Sequence, residues 1–421
     1  AKWDLTGEKI FITAGYAQHH LVLAKTEEGS ADDPNALKKL SLFLVPRRIE
    51  RDGKTIENIR ITKVEEKLGH HGSATCSLEF EESEGELVGQ VNQGFELMLM
   101  LMNSARLGVG FEAVGLSEKA YRMAREFASQ RKTMGQLIER HPVVAELLMD
   151  MQLDIAAARA LNYDAVNAVE VSTRLEMMLA VAPPKDPEQL RKLQRRLSST
   201  KRRARLLTPL VKYMSSENAV RIARDGMQIH GGIGYISEMG ADKLLRDSLV
   251  LTVYEGTSQI QALMSLKDNM TQALRKPALF AREAARARLM ASTASGETHR
   301  LYYKAEASVY QSIMTILARV ASDKLKRTVA EKGWSDVSDF VKMSTWDPKR
   351  DFAPALLHAE RFAKAFSQVA AARILLDQAD KFPERRKLAD RYIRRMAPRV
   401  AALTDVVHSG AAEVFEFIAE L

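Results

Sequence analysis

The stretch from Phe95 to Ala128, FELMLMLMNSARLGVGFEAVGLSEKAYRMAREFA, decides the architecture. Leu97, Leu101, Leu107, Phe111, Val114 and Tyr121 recur in it at helical spacings, the pattern of a helix with one apolar face. Ala-rich sequence from Val143 to Val169 repeats that periodicity, and two long antiparallel helices are the simplest reading. A further helix is expected from about Leu206 to Met227, ending at Gly231-Gly232, and another from about Ser258 to Leu274. Together these predict a four-helix bundle over residues 96–272.

Upstream of Gly94 the period is short and β-like. Lys9-Ile10-Phe11-Ile12-Thr13, His20-Leu21-Val22-Leu23-Ala24, Ser41-Leu42-Phe43-Leu44-Val45 and Thr75-Cys76-Ser77-Leu78-Glu79-Phe80 read as strands. Glu28-Gly29-Ser30-Ala31-Asp32-Asp33-Pro34 and Arg51-Asp52-Gly53-Lys54 supply the Gly, Pro and Asp that turns require. An antiparallel sheet or partial barrel over residues 1–95 follows. Downstream, the stripes Val309-Ile313-Ile316-Val320 and Leu356-Phe362-Phe366-Val369-Ile374 predict an additional helical domain over residues 273–421. The expected fold class is therefore α+β, mainly α: a partial antiparallel β domain, a four-helix bundle and a C-terminal helical extension.

Composition narrows the class of protein. At 421 residues the chain exceeds the roughly 250 residues at which single cores stop growing. Its hydrophobic fraction of 46% and charged fraction of 28% are those of an ordinary soluble globular protein. No uninterrupted apolar run approaches the roughly 18 residues of a membrane span, so none is expected. Cys76 stands alone, which excludes an internal disulfide framework and a Cys-rich metal site, and points to a reducing, cytoplasmic setting. The opening Ala1-Lys2-Trp3-Asp4-Leu5 has neither an initiator Met nor a leader, and reads as a missing N-terminal portion.

The net charge of +8 would suit an anionic partner. After the helix-breaking Pro183-Pro184-Lys185-Asp186-Pro187 comes the most basic segment, with Arg191, Lys192, Arg195, Arg196, Lys201, Arg202, Arg203 and Arg205 and no acid after Glu188. It reads as a solvated, partly helical insertion over 188–205, in preference to a nucleic-acid contact.

Three short stretches carry chemistry. In Tyr254-Glu255-Gly256-Thr257-Ser258-Gln259-Ile260-Gln261 a carboxylate sits at a helix start, where acids and Thr also serve simply as caps. In Gln228-Ile229-His230-Gly231-Gly232-Ile233-Gly234-Tyr235 the glycines leave backbone amides open to a phosphate, or merely end a helix. In Gln130-Arg131-Lys132-Thr133-Met134-Gly135 the Arg131 fork suits a pyrophosphate, and basic residues there also favour the helix dipole. Each stretch is ambiguous in isolation.

In this order and spacing the three resemble the acyl-CoA dehydrogenase family, over about Gly7 to Asn269, with Phe11-Ile12-Thr13, Gly94-Phe95 and Arg106 adding to the match. The resemblance implies FAD as cofactor, with Phe11 and Thr13 against the flavin ring and Arg131 and Thr133 on the pyrophosphate. Gln228, Gly231, Gly232, Thr257 and Gln259 fall at further FAD contacts. Asn103, Arg106, Tyr254 and Gly256 match positions near the acyl-CoA substrate, and Glu255 matches the catalytic base. In the family the pyrophosphate contact and the one from the Gln228–Gly232 turn cross a subunit boundary. A homodimer or homotetramer is thus implied, with electron-transferring flavoprotein as electron acceptor.

This sequence departs from the family at Met134, where an aromatic is usual, and at Pro142 after His141, where an amide side chain is common. The family's N-terminal helical domain and first β strands are absent from it. The helical region after 275 resembles larger bacterial members with a C-terminal extension. Two other readings stay open: a DNA-binding protein on the same scaffold, dependent on Arg202 and Arg203, and a non-catalytic subunit of a complex.

Overall fold

The computed structural model describes residues 2–27, 33, 35–332, 352–411 and 413–421. It divides into two compact units, Ala1–Ala105 and Arg106–Leu421. The turn expected at Glu28–Pro34 lies outside the described residues except for Asp33, which accepts the Asn35 N–H at 2.8 Å.

In the first unit, strands β1 (Lys2–Thr13), β2 (His19–Lys25), β3 (Leu40–Pro46), β6 (Arg60–Val64) and β7 (Thr75–Val88) form an antiparallel sheet in the order β1-β7-β3-β2. The long β7 is its spine, with β1 along one edge and β6 and β3 along the other. Strands β4 (Arg48–Arg51) and β5 (Lys54–Glu57) make a separate hairpin. Its Asp52-Gly53 turn has both φ angles positive, +52° and +73°, the geometry that matches strand twist and that an Asp-Gly pair permits. Leu5, Phe43, Val45, Ile59, Cys76, Leu78 and Phe80 form the core, and Trp3 meets Phe43 edge to face at 5.6 Å. Asn58 bonds to the carbonyls of Pro46 and Glu84, at 2.8 and 2.9 Å, and accepts from the Glu84 N–H at 2.8 Å.

Helix α1 (Gly94–Ala128) begins against this sheet at a glycine for a steric reason. A Cβ on Gly94 would lie 2.4 Å from the Ser41 carbonyl carbon. Among the described residues α1 is also the one helix long and apolar enough, by length and composition, to cross a bilayer. From Arg106 onward it is a bundle helix, with Leu107, Val109, Ala113, Val114, Ala120 and Ala124 buried.

The second unit continues with α2 (Pro142–Val181) and α3 (Pro187–His230), which pack along one another, then α4 (Ala241–Val250) and α5 (Ser258–Arg275). One expectation needs correction: α3 starts at Pro187 and not near Leu206, so the basic segment is fully helical. The Asp186 side chain caps it, accepting from the N–H groups of Glu188 and Gln189, while Pro187 occupies the first turn, where its missing N–H costs nothing. Pro183 and Pro184 thus follow the end of α2 at Val181, and Pro187 opens α3. Helix α4 was not foreseen, and it absorbs the start of the apolar run Ser248 to Val253.

Helices α6 (Pro277–Thr293), α7 (Glu297–Lys332), α8 (Ala359–Lys381) and α9 (Arg386–Ser409) follow. The region expected as a separate extension shares one core with the bundle: Leu161, Leu210 and Leu266 belong to the same buried cluster as Ile313, Phe362, Leu375 and Tyr392. A charged network joins α9 to α2 and α3. Arg399 contacts Asp150 at 2.9 Å and Asp154 at 3.0 Å, Arg395 contacts Asp150 at 2.8 Å, and Arg221 contacts Asp154 at 2.6 Å.

Candidate active site

Between α4 and α5 the chain makes a tight loop closed by the Ser258 N–H on the Thr252 carbonyl, 2.9 Å. Leu251 and Tyr254 anchor it against Val109, Ala113 and Ala219. Glu255 and Gly256 are both left-handed, φ +54° and +84°, a conformation that is strained for a residue with a Cβ. The strain is over-determined by its surroundings. Arg106 Nε donates to the Glu255 carbonyl at 3.4 Å, Gln261 Nε2 donates to the same carbonyl at 3.3 Å and to that of Gly256 at 3.4 Å, and Thr257 caps α5 by accepting the Ile260 N–H.

The loop thereby turns the Glu255 side chain inward. Its Oε2 is buried and has no hydrogen-bond partner among the described residues. Burial pushes the Glu255 carboxyl above the usual carboxylate range, with the Arg106 and Lys212 charges opposing the shift. Lys212 is fully buried on α3, its Nζ also lacks a hydrogen-bond partner, and burial lowers its pKa to about 8 against the pull of Glu217 and Glu255. Arg106, buried at 6% exposure, is pulled down by the same desolvation and supported by Glu255. Around them Tyr254 donates to Glu112 at 2.6 Å and Ser258 to Glu217 at 2.6 Å. Burial, then the bond to Glu112, holds the Tyr254 phenol far above its ordinary value.

The sequence-derived positions Arg106, Tyr254, Glu255, Gly256 and Thr257 thus meet in one place, while the others sit on separate elements. Arg131 precedes, and Thr133 lies within, a two-stranded hairpin, β8 (Lys132–Thr133) with β9 (Gln136–Leu137), whose Met134-Gly135 turn is left-handed at both residues. Arg131 is exposed, and the Thr133 hydroxyl bonds to His141 at 3.1 Å. Gln228 ends α3 exposed, and at Gly231 and Gly232 an added Cβ would meet nothing within 4 Å, so their backbone is open to a ligand. Gln259 donates to Glu360 at 3.1 Å. In the first unit, a register shift between Lys9 and Ile12 puts Phe11 in a left-handed conformation, φ +60°, and leaves it 69% exposed beside an exposed Thr13. Asn103 is exposed on α1.

Sequence reasoning missed Lys212 and Gln261. Lys212 carried a signal: it is the one cation in the apolar run Leu206-Leu207-Thr208-Pro209-Leu210-Val211-Lys212-Tyr213-Met214. Gln261 carried none, since a Gln in the first turn of a helix is ordinary. Among the described residues no cluster of His, Cys, Asp and Glu could hold a metal ion.

The fold, a curled antiparallel sheet leading into a bundle of long helices with ionisable groups buried at a helix start, defines a recognisable class. Residues 1–83 match the model of the acyl-CoA dehydrogenase middle domain, and residues 92–182 and 188–269 that of the acyl-CoA dehydrogenase C-terminal domain. The chain belongs to the acyl-CoA dehydrogenase family. The match resumes at 188, so the basic half of α3 lies within the matched domain and only residues 183–187 interrupt it.

Over 279 residues the chain is 34% identical to 3-methylmercaptopropionyl-CoA dehydrogenase of Ruegeria pomeroyi, an alignment covering 62% of this chain and 44% of that protein. It is 28% identical to caffeyl-CoA reductase-Etf complex subunit CarC of Acetobacterium woodii, covering 62% of this chain and 59% of that one. The chain therefore spans about half the length of these relatives. A solved structure of an acyl-CoA dehydrogenase complexed with FAD from Bacillus anthracis superimposes with a TM-score of 0.71 at 19% identity, covering 96% of this chain and 63% of that one. That likeness is one of fold, and it extends through the C-terminal helices.

Proposed function

We propose that this chain carries the base and part of the cofactor site of an FAD-dependent acyl-CoA dehydrogenase, with Glu255 removing the α-proton of an acyl-CoA thioester. The observation that carries the reading is the half-buried Glu255 carboxylate, its Oε2 buried without a hydrogen-bond partner among the described residues and its pKa shifted upward by burial. A carboxylate in water is a poor base toward carbon. One stripped of hydrogen bonds is stronger, and a pKa nearer neutrality matches it better to the task. The Cα–H proton passes to Glu255 while the Cβ–H leaves as hydride, and the product is the α,β-unsaturated thioester.

Taken unit by unit, the residues present suit parts of FAD. The exposed Arg131 guanidinium and the open Gly231 and Gly232 backbone suit a pyrophosphate, and the exposed Phe11 face beside the Thr13 hydroxyl suits an isoalloxazine. Thr257 accepts the Ile260 N–H, so its own hydroxyl proton remains available to donate, and Gln259 keeps its carbonyl oxygen free of the Glu360 bond. Thr133 and Gln228 complete the set. When bound, FAD supplies the hydride acceptor. Arg106, Tyr254 and Gly256 of the second unit would border the thioester, and Asn103 keeps its proposed substrate role from the resemblance alone. Electron-transferring flavoprotein as the oxidant, a homodimer or homotetramer, and a bacterial cytoplasmic location belong to the same proposal.

DNA binding through Arg202 and Arg203 gains little support, because Arg203 is held by Asp164 at 2.6 Å and Arg205 by Asp268 at 2.7 Å. The deciding experiment is the visible spectrum of the full-length protein under anaerobic titration with short- to long-chain acyl-CoAs. Flavin bleaching in the wild type, absent from a Glu255→Gln variant that retains flavin, is expected. Bleaching that persists in that variant would remove Glu255 from the role of base.

A further inference from the structure

We propose that Glu217 is a positioning residue for Glu255: by accepting the buried Ser258 hydroxyl it ties the far end of the loop between α4 and α5 to α3 and holds the turn that buries Glu255 Oε2. The inference rests on the reading of Glu255 as the base and names what keeps that base in place. Its footing is a direct contact, the bond of 2.6 Å from Ser258 Oγ to Glu217 Oε1, a length typical of a hydroxyl donating to a carboxylate.

Ser258 is where the loop closes. Its N–H donates to the Thr252 carbonyl at 2.9 Å, it is the first residue of α5, and it is 1% exposed. Glu255 lies inside the closed segment, three residues earlier, in a left-handed conformation that persists only if its surroundings fix it. On one side α1 fixes it, through Arg106 on the Glu255 carbonyl and Glu112 on the Tyr254 hydroxyl. Gln261 holds the same carbonyl from within α5. Glu217 adds a third side, α3, so the segment is fastened to three helices in place of two.

The charge of Glu217 matters as well as its bond. Helix α5 carries no acid in its first turn, although the unpaired N–H groups of a helix start favour negative charge. Neighbouring helices bring it instead: Glu217 of α3 to Ser258, and Glu360 of α8 to Gln259 at 3.1 Å. Glu217 also stands first among the charges that sustain the buried Lys212 against desolvation, so removing it would disturb α3 too. The serine is therefore the cleaner place to cut the contact.

The test is a double-mutant cycle in the full-length, flavin-loaded protein. Ser258→Ala should lower kcat for acyl-CoA oxidation roughly ten- to a hundredfold, the range for losing a hydrogen bond to a charged group, with KM and flavin content unchanged. Ser258→Thr, which keeps a hydroxyl, should recover most of that loss. Glu217→Gln, which keeps an acceptor, should be slowed less than Ser258→Ala, and the double variant no more than Ser258→Ala alone. Independently of turnover, hydrogen exchange across residues 252–258 should quicken in Ser258→Ala while that of α2 stays as in the wild type. Two substitutions whose effects simply add, or a flavin-loaded Ser258→Ala with unchanged kcat, overturn the proposal. If Ser258→Ala fails to hold flavin, exchange measured on the flavin-free forms of both proteins decides, and equal rates across 252–258 overturn it. A wild type that no acyl-CoA bleaches sinks the functional reading instead, and leaves the exchange comparison standing.

Discussion

Gln261, one turn into α5, reaches back with Nε2 to the carbonyl oxygen of Glu255, 3.3 Å away, and to that of Gly256, 3.4 Å away. A side chain six residues downstream therefore holds the backbone of the candidate base in its left-handed turn. Gln261→Leu keeps the volume and removes both donors. We expect turnover to fall by about tenfold, the loss of about one hydrogen bond's worth of positioning, with flavin content unchanged. A steady-state assay paired with a flavin-to-protein absorbance ratio reads both.

The same clamp explains why residue 256 is glycine. Its φ is +84°, and a Cβ there would lie 2.7 Å from Gln261 Nε2. Gly256→Ala adds left-handed strain of roughly 1–2 kcal/mol and pushes the clamp away. Its urea midpoint should drop and its activity should fall below that of Gln261→Leu. An alanine variant as stable and active as the wild type would show that the loop is not held as described.

Stability should depend on pH through Glu255 with a definite sign. Its folded pKa is raised, chiefly by burial, so folding favours the protonated carboxyl. That contribution is present below the unfolded pKa and is lost as pH rises through the folded one. Glu255→Gln, which cannot ionise, should gain in Tm relative to the wild type as pH goes from 4 to 8. Calorimetry at the two pH values reads this, and a Tm difference that shrinks with pH contradicts the sign.

The charged network between α2, α3 and α9 predicts a stability effect far from the candidate site. Asp154, with its side chain 5% exposed, receives both Arg221 and Arg399. Asp154→Ala takes one partner from each of two guanidiniums, leaving Arg221 with Asp225 and Arg399 with Asp150, and should cost less in chemical denaturation than the roughly 3 kcal/mol of a buried pair broken outright. Arg174→Ala, whose i,i+4 partner Glu170 is itself exposed, should cost well under 1 kcal/mol.

Much of this was legible in the chain because it is written locally. Strand alternation around Phe43 and Leu78, the Asp52-Gly53 turn, the helical stripe from Leu97 to Tyr121 and the acid-glycine pair at 255–256 each depend on neighbours in sequence. The true start of α3 was obscured because Pro183 and Pro184, which follow the end of α2, lie almost beside Pro187, which opens α3, and together they read as a single break. Lys212 was obscured for a different reason. Nothing local says whether a lysine in an apolar run snorkels outward or is buried, as this one is.

The common core of Leu161, Leu210 and Leu266 with Ile313, Phe362 and Leu375 has a practical consequence for anyone dissecting the molecule. Cutting the gene after α5 to obtain a minimal catalytic module would strip the bundle of the surface that seals it. The product should be sticky and poorly recoverable, whereas shortening the exposed Pro183–Asp186 connection touches no buried side chain and should yield soluble protein.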